Sequence, residues 1–117
     1  MARVLCQLAD LDATGAKEIV LDNNGARFPV FVVKAGDGII GYVNSCPHVR
    51  LPLNWKEDGF LDISGTFIFC ANHGAHFDVR TGLCLRGPCK GQSLVPYPVR
   101  IEGEAIVEAA VVEEAGP

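Results

Sequence analysis

Two short stretches of this 117-residue chain carry residue types suited to metal chemistry. Cys46-Pro47-His48 is a Cys-x-His pair, and Cys70-Ala71-Asn72-His73 is a Cys-x-x-His pair. Each offers one soft thiolate and one imidazole, and the types alternate along the chain as Cys, His, Cys, His. If each stretch forms a loop and the loops face each other, the two sulfurs converge on one point and the two rings on a neighbouring one. A two-iron cluster with unlike ends requires that division of ligands. A mononuclear Cys2His2 zinc site uses the same donors. The familiar zinc finger, however, places both cysteines before both histidines with a helix signal between them, and neither pair here sits on a helical pattern. Core burial of cysteine is a blander reading. It leaves unexplained why two of the chain's three histidines fall in register with cysteines.

The flanking runs must position these pairs. Thirteen Gly and seven Pro break the chain into short stretches rich in Val, Ile, Leu and Phe, the pattern of an all-β domain. Strands are expected at 17–21, 28–34 and 39–44, with turns at Asp22-Asn23-Asn24-Gly25 and Gly36-Asp37-Gly38. The third strand delivers Cys46. Pro29 is expected near the start of its strand or on an edge, because it has no N–H to give a ladder. Residues 49–59 read as irregular. A hairpin of 60–63 with 66–70 around Ser64-Gly65 delivers Cys70. Residues 77–79 pair with 83–85, and 94–101 with 105–110. Residues 9–16 are the one weak helical candidate, and Glu113 to Pro117 read as a frayed tail.

Length bounds the chain to one domain, 1–117. A net charge of −4 and a pI near 5.2 have the wrong sign for a non-specific nucleic-acid binder. No stretch approaches the length of a membrane span, and the apolar run at Met1 to Cys6 is too short for a secretory leader. A cytoplasmic protein is expected. In that reducing compartment Cys6, Cys84 and Cys89 are expected as thiols. A Cys84–Cys89 disulfide stays open if Leu85-Arg86-Gly87-Pro88 doubles back.

Cys46-Pro47-His48 and Cys70-Ala71-Asn72-His73-Gly74, with Phe77-Asp78, Gly82, Gly87-Pro88, Leu94 and Tyr97-Pro98-Val99 following, resemble the Rieske ferredoxin family over essentially the whole chain. The stretch 49–69 is longer than in the smallest ferredoxins. The resemblance implies a Rieske iron–sulfur fold: an antiparallel β-sandwich or barrel base with a cluster-binding subdomain at about 44–91. It implies one [2Fe–2S] cluster per chain, with Cys46 and Cys70 on one iron and His48 and His73 on the other. It further implies a one-electron carrier with no catalysis of its own, serving between an NAD(P)H-dependent reductase and a terminal oxygenase or similar acceptor. A monomer is expected. An oxygenase would need a further iron-bearing domain for which 117 residues leave no room. Two other readings stay open: a Rieske-like small accessory subunit of a larger reductase or oxygenase, and a zinc-stabilised interaction module.

The chain departs from the respiratory branch of the family at two places. Leu51 and Asn72 stand where that branch has a cysteine pair joined beside the cluster. Ala75 and Phe77 stand where it has Ser and Tyr hydroxyls that donate to the cluster and a ligand sulfur. Donors to sulfur stabilise the reduced state, so the expected potential is at the low end of the Rieske range, about −150 mV. Reduction makes iron-bound imidazole more basic, so proton uptake at His48 and His73 is expected to accompany it. A midpoint flat from neutral to strongly alkaline pH would exclude that coupling.

Of the remaining residues, His76 is expected at the surface, off the ligand positions. Pro47 and Pro88 are expected to stiffen loops, and Gly74 and Gly87 to serve either a close approach of backbone N–H groups to sulfide or simply a turn. Cys6, Phe31, Phe69 and Trp55 are assigned to packing, with shielding of the cluster a second role open to Trp55. Glu57, Asp58 and Asp62 are candidates for a docking face, against a default of solvated surface.

Overall fold

The run Val30-Phe31-Val32-Val33 is fully buried on both of its faces, as a continuous apolar strand requires. It lies in β3 (Ala26–Ala35), the middle strand of a sheet ordered β2–β3–β4, with β2 at Ala16–Asn23 and β4 at Gly38–Val43. In the computed structural model of the chain, residues 3–23, 25–36, 38–47, 52–54, 58–62, 64–71 and 74–109 are described. His48, Leu51, Trp55, Glu57, Asn72, His73 and the 113–117 tail lie outside the described residues.

Alternate side chains of β3 serve two cores. Phe31 and Val33 join a large core shared with the cysteines, whereas Val32 packs with Cys6, Leu11 and Ile106 in a smaller one. The smaller core is covered by a sheet ordered β1–β9–β8, with β1 at Val4–Gln7, β8 at Val99–Glu102 and β9 at Ala105–Glu108. The third sheet has the order β5–β6–β7, at Phe67–Phe69, His76–Asp78 and Cys84–Arg86. All strand pairs are antiparallel. Among the described residues there is no α-helix, and no helix long and apolar enough to cross a membrane.

Most expected strands fall within a few residues of those observed, and the differences have physical causes. Pro29 is neither at a strand start nor on an edge strand. Its carbonyl accepts from the Asn44 N–H just beyond the end of β4, so its nitrogen faces a place where the ladder has already run out. The expected strand at 94–101 divides between two sheets. Val95 and Tyr97 bond to Val43 and Gly41 of β4, and the ladder with β9 begins only at Val99. Pro96 and Pro98 cannot donate, so Tyr97 supplies the donor to β4. Gly41 allows the approach, since a Cβ there would lie 2.5 Å from the Tyr97 carbonyl.

Of the expected 60–63 strand, Ile63 lies outside the described residues, and the rest meets β5 through one bridge, Leu61 to Ile68, flanked by bonds from the Asp62 N–H to the Phe67 carbonyl and from the Phe69 N–H to the Phe60 carbonyl. At the turn the Asp62 carboxylate accepts from the Thr66 and Phe67 N–H groups, so the ladder stops there. In place of a helix at 9–16 there is one 3-10 turn, Leu8–Leu11, of which only Leu11 is buried. The chain then bends away at Gly15, where φ is +81°. β1 was not expected. It is short, and Val4 stays exposed, so its sequence carries little apolar alternation.

Candidate metal centre

Cys46 follows the end of β4, and Cys70 follows the end of β5. Both are buried, at 1% and 0% exposure, and both belong to the large core with Phe77, Ala75, Cys84 and Cys89. The Cys70 loop is closed at its neck. The Cys70 N–H donates to the Ala75 carbonyl at 2.9 Å, and the Gly74 N–H to the Cys70 carbonyl at 2.9 Å. Gly74 has φ +74°, and among the described residues nothing lies within 4 Å of where a Cβ would sit. Its glycine is required by the backbone conformation, not by a close neighbour.

The two cysteine segments are tied together by a residue that the sequence reading did not single out. Asn44 is a polar residue at 2% exposure, two positions before Cys46. Its Oδ1 accepts from the Leu53 N–H at 2.8 Å, and its Nδ2 donates to Asn54 Oδ1 at 2.9 Å and to Glu18 Oε2 at 3.2 Å. The Leu53 carbonyl in turn accepts from the N–H of Ala71, the residue after Cys70, at 2.8 Å. The chain of bonds therefore runs from beside one cysteine to beside the other. A polar residue closing an expected apolar strand, two positions before Cys46, is the one signal the sequence offers for it.

Across the neck of the Cys70 loop lies Gly87. Its φ is +110°, and a Cβ there would sit 2.8 Å from the Ala75 Cα. The glycine thus allows one backbone to cross another directly below Cys70. Pro88 beside it is exposed. Ala75 and Phe77 are buried at 1% and 0% and carry no hydroxyl into this region.

His76, expected at the surface, keeps only part of its side chain exposed. It is partly buried on β6, edge-on to Phe67 and Phe69 at 6.0 and 5.2 Å. Its Nδ1 lies 3.1 Å from the Gly74 carbonyl, so that nitrogen carries the proton in the contact. Its Nε2 lies 3.7 Å from Asp62. Asp62 also accepts from Ser64, which holds its carboxyl below the usual range, with Phe67, Thr66 and His76 adding to the effect. Asp58, with φ +60°, accepts from the Glu18 N–H at 2.7 Å. Both acids are engaged in local structure. The packing assignments of Cys6 and Phe31 agree with their burial at 8% and 0%. Burial, reinforced by Asp10, raises the Cys6 thiol pKa to about 11. Phe69 packs its ring against His76.

Among the described residues no three His, Cys, Asp or Glu side chains converge as a metal site; two of the four expected ligands, His48 and His73, lie outside that set. The donors that are described suit an iron–sulfur group. They are two thiols in one apolar, water-excluding core, on segments fixed to each other through Leu53.

An all-β domain with two buried cysteines in loops that follow strands of two different sheets, both in one core, is the frame of a metal-centre protein. Residues 2–106 match the Rieske [2Fe-2S] domain, and the chain belongs to that family. A Rieske-type [2Fe–2S] cluster is accordingly its cofactor. No match was found among curated proteins. Among solved structures, the chain is similar to the ferredoxin of carbazole 1,9a-dioxygenase from Nocardioides aromaticivorans IC177, at 27% identity and TM-score 0.69, covering 93% of this chain and 97% of that one. It is similar to the ferredoxin of Sphingomonas yanoikuyae B1 at 26% identity and TM-score 0.69, covering 95% and 100%. It is also similar to a chain of the complex of reduced oxygenase and oxidized ferredoxin in carbazole 1,9a-dioxygenase, at 25% identity and TM-score 0.70, covering 92% of each.

Proposed function

We propose that this chain is a one-electron carrier that passes electrons from an NAD(P)H-dependent reductase to a terminal oxygenase and performs no catalysis itself. The observation that carries this reading is the end-to-end likeness to ferredoxins, 95% of this chain against 100% of one of them. A further ferredoxin of the same kind occurs in a complex with its oxygenase. Cys46 and Cys70 hold one iron and His48 and His73 the other, within a cluster-bearing subdomain at about 44–91. Bound there, the cluster accepts and releases single electrons.

The chain's own residues supply ligation, burial and rigidity. Asn44 and Leu53 keep the cysteine-bearing segments at a fixed separation, which limits the rearrangement that accompanies electron transfer. The core around Phe77 excludes water from the sulfurs, and the lack of a hydroxyl at Ala75 and Phe77 withholds donors that would favour the reduced state. A low potential follows, about −150 mV, suited to a donor role toward an oxygenase.

Stopped-flow mixing of the dithionite-reduced protein with a ring-hydroxylating oxygenase tests the assignment. Oxidation of the carrier at a rate that saturates with oxygenase concentration is expected. Failure to exchange electrons with any ferredoxin-dependent oxygenase or ferredoxin reductase would contradict it.

A further inference from the structure

Two cysteines outside the ligand set meet in the core. The Sγ atoms of Cys84 and Cys89 lie 2.9 Å apart, and both residues are buried, at 1% and 0% exposure. The segment between them doubles back. Cys84 donates its N–H to the Gln92 carbonyl at 2.8 Å and accepts from Gly91 at 3.3 Å. The Lys90 and Gln92 N–H groups donate to the Gly87 and Cys89 carbonyls at 3.2 and 2.8 Å. The backbone thus already holds the two sulfurs face to face. Covalent closure requires the sulfurs to approach to about 2.05 Å. The loop they enclose contains Gly87, the residue that crosses the Ala75 backbone at the neck of the Cys70 loop.

We propose that Cys84 and Cys89 form an intrachain disulfide that pins the Gly87 crossing onto Ala75. The oxidant is a low-molecular-weight disulfide. One cysteine thiolate attacks it, forming a mixed disulfide and releasing one small thiol. The second cysteine attacks the chain sulfur of that intermediate. The Cys84–Cys89 bond forms, the mixed bond breaks, and a second small thiol leaves. Two electrons and the two cysteine protons end on the two small thiols, so the exchange balances without any other reactant. Burial, reinforced by the neighbouring Cys84 sulfur, pushes the Cys89 thiol up to about 12. A thiol of that kind attacks slowly and is a poor leaving group. Both sulfurs are also shut off from solvent, so the bond exchanges slowly with small thiols, as a structural staple does.

The test uses the full-length, cluster-loaded protein, held anaerobically in equal concentrations of oxidised and reduced glutathione and then alkylated under denaturing conditions. Trypsin cleaves after Arg80, Arg86 and Lys90, which places Cys84 on Thr81–Arg86 and Cys89 on Gly87–Lys90. The expected result is that the linked pair of peptides becomes the major form and the two singly alkylated peptides are lost. A majority of separately alkylated peptides overturns the proposal. So does Cys84 or Cys89 bonded to glutathione or to another cysteine of the chain. The peptide linkage is read independently of electron transfer, so its failure is distinguishable from failure of the carrier assignment. Oxidation is also expected to slow amide exchange at Lys90 and Gln92, and unchanged exchange in the linked protein would contradict the pinning.

Discussion

Two residues below the cysteine loops, Ala75 and Asn44, show what spacing conveys at the scale of the residue and what it leaves out. The two Cys/His pairs proposed as ligands are visible in the sequence because two of only three histidines lie beside cysteines, in an order that divides sulfur from nitrogen. The absence of hydroxyls at Ala75 and Phe77 was equally visible once the family pattern was aligned with the loops. Asn44 was not, because its bonds run to Leu53, Asn54 and Glu18, residues 9, 10 and 26 positions away. The partners of His76 are hidden for the same reason. Its place between Phe67, Phe69 and Asp62 depends on the pairing of β5 with β6, which no residue count gives. Ala75→Ser tests the potential at this scale. A new donor to a charged acceptor stabilises it by about 1.5 kcal/mol, which for a one-electron couple is on the order of 60 mV. A redox titration is expected to show a midpoint higher by about that amount, and an unchanged or lower midpoint would contradict the role given to the missing hydroxyl.

At the scale of elements, the strands that deliver the cysteines were legible because each is a short apolar run ended by a breaker. Their lateral arrangement was less so. β1 carries too few buried residues to announce itself, and the division of 94–101 between two sheets is governed by where two prolines fall relative to β4. What joins the separate elements at the site is polar. Asn44, just past the end of β4, reaches across to the segment that Ala71 also bonds. Asn44→Ala leaves the Leu53 N–H buried without that acceptor, at a cost of about 2 kcal/mol. Urea unfolding of the loaded protein is expected to show the midpoint fall accordingly, with faster loss of iron. Stability and iron retention equal to those of the parent chain would show that the bond does not tie the segments together.

Across the whole molecule, three small sheets share β3 as the wall between two cores, and stacking of Phe31 on Phe60, 4.2 Å apart and 9° from parallel, carries the larger core toward the cysteines. The outer sheet is secured at its edge by charge. The Arg3 guanidinium lies 2.7 Å from Glu108, and the Tyr97 hydroxyl also donates to that carboxylate. Arg3 first, with Tyr97 adding to it, holds Glu108 below the usual carboxylate range. A carboxyl with a depressed native pKa adds stability above its ordinary value, about 4.3, and that stability is lost as pH falls through the native pKa. Unfolding measured between neutral and acid pH is expected to show a loss in that window that Glu108→Gln flattens. An identical acid limb in the variant would remove Glu108 from the explanation.

The ligand set itself is tested most directly by electron spin echo spectroscopy of the dithionite-reduced protein, prepared with and without 15N-histidine. Rieske ligation requires couplings from two histidine nitrogens on the reduced centre. Both should change on labelling, both should persist in His76→Ala, and one should vanish with each replacement of His48 or His73. A reduced centre with no histidine nitrogen coupling, or a colourless protein carrying zinc in place of iron, would contradict the assignment of Cys46, His48, Cys70 and His73 as its ligands.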